Sequence, residues 1–333
     1  DFAALFPGQN KLKMRNGWIE DENAEELMRG SLLNIGLPHI QSFRKAARAL
    51  HVDTRLAVEQ GDSERAVKNI ETVFGLANQV AEAPFLVCGL VGMAVAGVGF
   101  EQLEEVMAAD PDFFSADQLA RLQATIERMP VRSWLDFEGE RASIKDIIQR
   151  CYTDDGNGDG RMTSQGVDLL ASASRWMTAN VPIVDSNDGF ESAAYAARKF
   201  MAPAALFMCA SRKEVEGKTD ELIDRLIANV KTPFWLNGDS ESFERETDEF
   251  FKENKMRHVL LAMMFPAGQQ VINGMQRTIG RQEGVVAALA IHRYYKIYGD
   301  WPTEYDEVSP EFATEFPQDQ VDGSLLRFTY VND

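Results

Sequence analysis

The run of residues 85–100, Phe-Leu-Val-Cys-Gly-Leu-Val-Gly-Met-Ala-Val-Ala-Gly-Val-Gly-Phe, constrains the fold more than any other segment because it carries no charge. It is shorter than the roughly 20 residues a bilayer-spanning helix needs. Its flanks are acidic (Glu82, Glu101, Glu104, Glu105) and no basic anchor stands nearby. No transmembrane span is read here, so the run must be covered by protein. Gly89, Gly92, Gly97 and Gly99 lack a Cβ and would let neighbouring helices approach closely. The expectation is a core helix wrapped by other helices.

The surrounding sequence supplies those partners. Phe43, Ala46, Ala47, Leu50, Thr54 and Ala57 recur at helical spacing, and Gly61 stops the pattern. Asp62 or Ser63 caps a second stripe of Ala66, Ile70, Val73, Phe74, Ala77 and Val80. Ser115 and Gln118 form a capping box ahead of Leu119, Leu122, Ile126 and Met129, and Pro130 ends that run. Short Gly-Asp turns between amphipathic helices make antiparallel hairpins. The turn at 59–66 is tetratricopeptide-like, without a regular 34-residue period.

The expected fold is therefore mainly α, built of irregular antiparallel helical hairpins. Three regions are read: 1–130, helical hairpins; 131–280, helices at 143–152, 190–209 and 219–230 around an Asp-rich loop; and 281–333, a helix and a small antiparallel β tail. Leu326, Phe328 and Tyr330 alternate with Arg327 and Thr329 after the turn signal Asp322-Gly323. Trp301, Phe312, Phe316, Phe328 and Tyr330 are expected to pack onto the stripe of Ala288, Ile291, Tyr295 and Tyr298. Asp319 and Asp322 would hold the turn through backbone hydrogen bonds.

Charge narrows the partners. A net charge of −18 repels phosphate backbones, which excludes nucleic acid as the natural partner and favours cations or proteins. Cys88, Cys151 and Cys209 lack metal or disulfide spacing and read as buried thiols. His39, His51, His258 and His292 stand apart and form no metal pair, and no nucleophile elbow or phosphate loop is present. Glu138/Glu140 and Glu241/Glu244/Glu246 read as solvated faces.

The chemistry concentrates in Asp155-Gly156-Asn157-Gly158-Asp159-Gly160-Arg161-Met162-Thr163. Asp155, Asn157 and Asp159 place three oxygen donors two residues apart, as in the front half of an EF-hand loop. Gly160 gives the turn, the Arg161 carbonyl would be a ligand, and Thr163 would hold a water. The ion implied is Ca²⁺, a hard cation that takes oxygen ligands. The twelfth position is Gly166, where an EF-hand needs a bidentate Glu, leaving Asp168, Asp154 or Glu138 to substitute. The alternative is a surface loop held by side-chain-to-backbone bonds, with Thr163 capping the next helix.

The tail carries a resemblance. Tyr294-Tyr295-Lys296-Ile297-Tyr298-Gly299-Asp300-Trp301-Pro302, followed by Pro317, Asp319, Asp322 and Gly323, resembles the C-terminal segment of type II secretion pseudopilins. Together with Tyr152-Thr153-Asp154-Asp155-Gly156-Asn157-Gly158-Asp159-Gly160 it is also similar to exported helical proteins of planctomycete-type bacteria. The resemblance implies an extracytoplasmic protein, tethered by a segment preceding Asp1, and not pilus assembly. Two functions remain: an exported helical scaffold that binds a protein partner and carries a weak calcium loop, or a metal-assisted hydrolase using Asp155 and Asp159.

Overall fold

The computed structural model describes residues 15–16, 31–32, 35–37, 40–154, 156–157, 160–163, 166, 208–236, 240–254, 257–265, 268–313 and 317–327. These residues are mainly helical. An antiparallel pair, Arg15–Asn16 with Ile35–Gly36, spans two residues a side.

Helix α1 (Ile40–Glu59) and α2 (Ser63–Ala81) form the first hairpin. Gly61 takes φ +71°, the left-handed conformation that ends a helix cheaply only for glycine. Asp62 then accepts the Arg65 N–H at 3.1 Å and caps α2. Fully buried Ile70, Val73, Phe74 and Ala77 give α2 its core face. Each large side chain of this kind stabilises by roughly 1.5–3 kcal/mol on burial.

The uncharged run becomes part of α3 (Leu86–Ala109), packed on α2, α1 and the long helix Gly268–Tyr298. By length and composition it could cross a membrane, but 67% of its most apolar window is buried in the fold. A Cβ at Gly89 would lie 2.2 Å from the Trp134 carbonyl oxygen, and one at Gly99 2.6 Å from the Phe74 ring. Gly97 departs from expectation, since nothing lies within 4 Å of a Cβ there.

Helix α4 (Ala116–Glu127) starts at the expected capping box, Ser115 with Gln118. A 3₁₀ turn (Val131–Trp134) leads to α5 (Glu138–Cys151). That helix begins five residues before the expected 143, with Phe137 as its N-cap residue, and Asp136 accepts its first N–H, that of Glu138, at 2.8 Å. Helix α6 (Arg212–Lys231) also starts before the expected 219, capped by Ser211. Arg141 and Lys145 of α5 join Asp220 of α6 at 3.0 and 2.9 Å.

Helices α7 (Ser240–Glu253) and α8 (Val259–Met264) precede α9 (Gly268–Tyr298). α9 runs unbroken through residue 280, where a region boundary was read. One buried cluster extends from Ile40 to Leu289 and contains residues of all three regions.

After Gly299 (φ +79°) comes the short α10 (Tyr305–Val308). Trp301 stacks on Tyr295 with centroids 4.4 Å apart, and Phe312 meets the edge of Tyr294 at 5.8 Å. Val308 and Phe312 close over Ala287 and Ala290 of α9. Asp319 accepts the Val321 N–H at 2.7 Å and Asp322 the Ser324 N–H at 2.8 Å, as expected of turn residues. Among the described residues the tail's pairing is a single bridge, Gln318 with Leu325, so a β element is not seen there. Phe316, Phe328 and Tyr330, expected in this packing, lie outside the described residues, as do residues 190–207 of the helix read at 190–209, and His39.

Candidate functional site

The Asp-rich loop leaves α5 through a pinned stem. Tyr152 bridges Met162, and both are 4% exposed. The Thr153 N–H donates to the Arg161 carbonyl at 2.8 Å, and the Arg161 N–H donates to Thr153 Oγ1 at 2.9 Å. One step further in, the Thr163 N–H donates to the Cys151 carbonyl at 2.8 Å. The Gly160 carbonyl accepts the Arg212 N–H at 2.9 Å, which ties the loop to the start of α6. A Cβ at Gly160 would lie 1.8 Å from the Thr153 oxygen, so the stem admits only glycine there.

The expected ligands are placed unevenly. Asp155 and Asp159 lie outside the described residues, as does Asp168. Asn157 is exposed at the tip. The Arg161 carbonyl, read as an ion ligand, spends one lone pair on Thr153. The Thr163 hydroxyl, read as a water holder, donates to Cys151 O at 3.1 Å and accepts the Gly166 N–H at 3.0 Å. That is the capping role of the alternative reading. Asp154 accepts the Gly156 N–H at 2.9 Å and sits 3.3 Å from Arg212. Glu138 pairs with Arg141 at 2.9 Å. Both described candidates for the missing bidentate ligand therefore already have partners. Among the described residues no group of three His, Cys, Asp or Glu could hold a metal.

Burial pushes the Cys151 thiol up to about 12 and raises Cys209 and Tyr152 as well, so neither thiol is a nucleophile at neutral pH. All three cysteines are buried, as expected. His51 bonds Glu105 at 3.0 Å, and His292 bonds the Ala288 carbonyl at 3.0 Å. His258 is 4% exposed and 3.3 Å from Glu214; burial lowers its pKa. One carboxylate breaks the expected pattern. Glu140 is not on a solvated face: Oε1 accepts the Leu86 N–H at 2.8 Å, Oε2 is buried without a partner among the described residues, and burial raises the carboxyl to about 7. Glu246 does follow the expectation, exposed and 2.9 Å from Arg225.

A second feature carried no signal in the sequence. The tail, α9, the 3₁₀ turn and Trp235 line an open cleft of about 630 Å³. Arg132, Glu283 and Gln320 meet there from segments far apart in the chain, so no local motif marks them. Comparison with family models, curated proteins and solved structures finds no match to this chain.

Proposed function

We propose that the protein is an extracytoplasmic helical binding scaffold whose loop 155–163 takes one Ca²⁺ weakly and whose helical surface or tail meets a protein partner. The pinned stem carries the calcium part: Tyr152 and Met162 hold the two ends of the loop together, and Arg212 anchors it. Every donor in the motif is oxygen, which favours Ca²⁺ over Zn²⁺. Without a bidentate Glu the affinity falls in the range of extracellular modules, a Kd of about 10⁻⁴–10⁻³ M. The hairpin of α1 and α2 is tetratricopeptide-like on this reading, and residues 326–331 add a β strand to the tail. Export rests on the resemblance of the tail and loop to exported proteins.

The hydrolase reading has less support. A metal-assisted hydrolase needs a carboxylate or imidazole facing the ion from another element. The side chain that reaches the loop from α6 is a guanidinium, Arg212.

Calorimetric titration with Ca²⁺ and with Mg²⁺ tests the ion. Saturable Ca²⁺ binding that disappears in the double variant Asp155→Ala, Asp159→Ala is the expected result. Binding that persists in that variant removes the loop from the account. For export, the native gene product should fractionate outside the cytosol; recovery in the soluble cytosolic fraction contradicts it.

A further inference from the structure

The end of α9 and the start of the tail carry an aromatic face that the fold covers on one side only. Trp301 stacks on Tyr295 with the two planes 14° apart and meets His292 edge-on at 5.1 Å. Tyr298 lies against Tyr294, one turn earlier, at 4.7 Å. Tyr295 and Tyr298 are three residues apart on the helix, so the two ring pairs are neighbours on its surface. On the inner side Tyr294 and Tyr298 meet buried Phe312 at 5.8 and 6.1 Å. On the outer side Tyr298 is 53% exposed and Trp301 38%.

Carboxylates stand around these rings. The Tyr298 hydroxyl donates to Glu311 at 3.0 Å. Desolvation, Glu307 and Asp300 together raise the pKa of the Tyr294 hydroxyl, which places both charges beside it. Asp300, Glu307 and Glu311 are all exposed. Among the described residues none of them pairs with a cation. The two cations of α9 at this end are engaged elsewhere: Lys296 with Asp112 at 2.5 Å, and Arg293 with Gln123 at 2.8 Å and the Phe312 carbonyl at 3.2 Å. The face thus combines open π surface with uncompensated negative charge.

We propose that this face docks an arginine-bearing basic segment of the scaffold's protein partner, an inference that rests on the binding reading above. A guanidinium stacks on an aromatic ring and forks onto a carboxylate, so it uses both features. A lysine ammonium pairs with the carboxylates but lacks the planar stack. Phosphates, anionic lipid and a second copy of this chain all meet Asp300, Glu307, Glu311 and a net charge of −18. A neutral apolar segment covers the rings but strips water from the carboxylates without replacing it.

Fluorescence anisotropy on the full chain, with labelled peptides of alternating Gly-Arg, Gly-Lys and Gly-Gln sequence, tests this. The Arg peptide saturates, binds about threefold or more tighter than the Lys peptide, and the Gln peptide does not bind. Tyr298→Leu keeps apolar bulk, removes the ring and weakens the Arg peptide about threefold. Asp300→Asn with Glu311→Gln keeps an acceptor for Tyr298 and weakens it by about the same factor. Both variants change exposed side chains, and either alone keeps the test available if the other misfolds. Glu244→Gln with Asp248→Asn removes the same charge from exposed positions of α7 and leaves the affinity unchanged. The proposal is overturned if the Arg peptide fails to saturate, if the Lys or Gln peptide binds as tightly, or if the α7 pair costs as much as the tail pair. Saturable binding that ignores both face variants also overturns it, while leaving the broader scaffold reading with a partner surface elsewhere on the helical body.

Discussion

Glu140 shows how a single side chain departs from its sequence signal. In Glu138-Gly139-Glu140 both carboxylates read as solvated. Glu138 is exposed and pairs with Arg141, whereas Glu140 turns inward to cap the start of α3. The difference is tertiary: Gly139 lies so close to the Pro84 carbonyl that a Cβ would be 1.7 Å from it, which brings α5 against the 84–86 turn. The folded carboxyl sits near 7 against an ordinary 4.5, so the folded state holds the proton more tightly. That stabilisation is fully present below about 4.5 and is lost as pH rises through about 7. Glu140→Gln retains an acceptor for Leu86 and removes the charge. It should raise stability at pH 8 by about 1–3 kcal/mol and change little at pH 4. Denaturant melts of both proteins at the two pH values check this; equal gains at both would show that charge burial is not the cause. The Asp-rich motif stood out for the opposite reason, since its oxygen-bearing side chains are close together in sequence. What Thr163 and the Arg161 carbonyl do depends on Cys151 and Thr153 across the stem, which spacing alone does not reveal.

Helices were legible where a local cap and a periodic face coincide. Asp62 and Ser115 capped as read, and the α2 stripe is the buried one. The starts of α5 and α6 were missed because both first turns are polar and lack a hydrophobic repeat, although Ser211 caps α6. In α3 the glycines looked alike in sequence yet differ in surroundings. Gly89→Ala should destabilise by about 3 kcal/mol, because its methyl meets the rigid Trp134 backbone. Gly97→Ala should stabilise by roughly 0.5–1 kcal/mol, because its methyl meets nothing and the helix loses a flexible residue. Thermal or urea melts of the two variants read this directly, and a shared sign would contradict the packing described.

At the scale of the molecule, the helical class followed from periodicity, and contacts between distant segments link the three regions read from the sequence. α9 carries the core cluster at Val285 and Leu289 and the tail cluster at Ala287 and Ala290 on one continuous helix. Gln123 of α4 donates to the Phe312 carbonyl at 2.7 Å, and Arg293 reaches the same oxygen at 3.2 Å, so body and tail share a hydrogen-bonded seam. Gln320 of the tail also donates to Glu283 of α9, at 2.5 Å. The central structural claim is that the tail is an integral cap on the helical body. Scanning calorimetry of the full chain and of a chain ending at residue 299, with a dye that reports exposed apolar surface, tests it most directly. The account predicts that truncation lowers the melting temperature by about 5 °C or more and increases dye binding. An unchanged melting temperature with no added dye binding would contradict it.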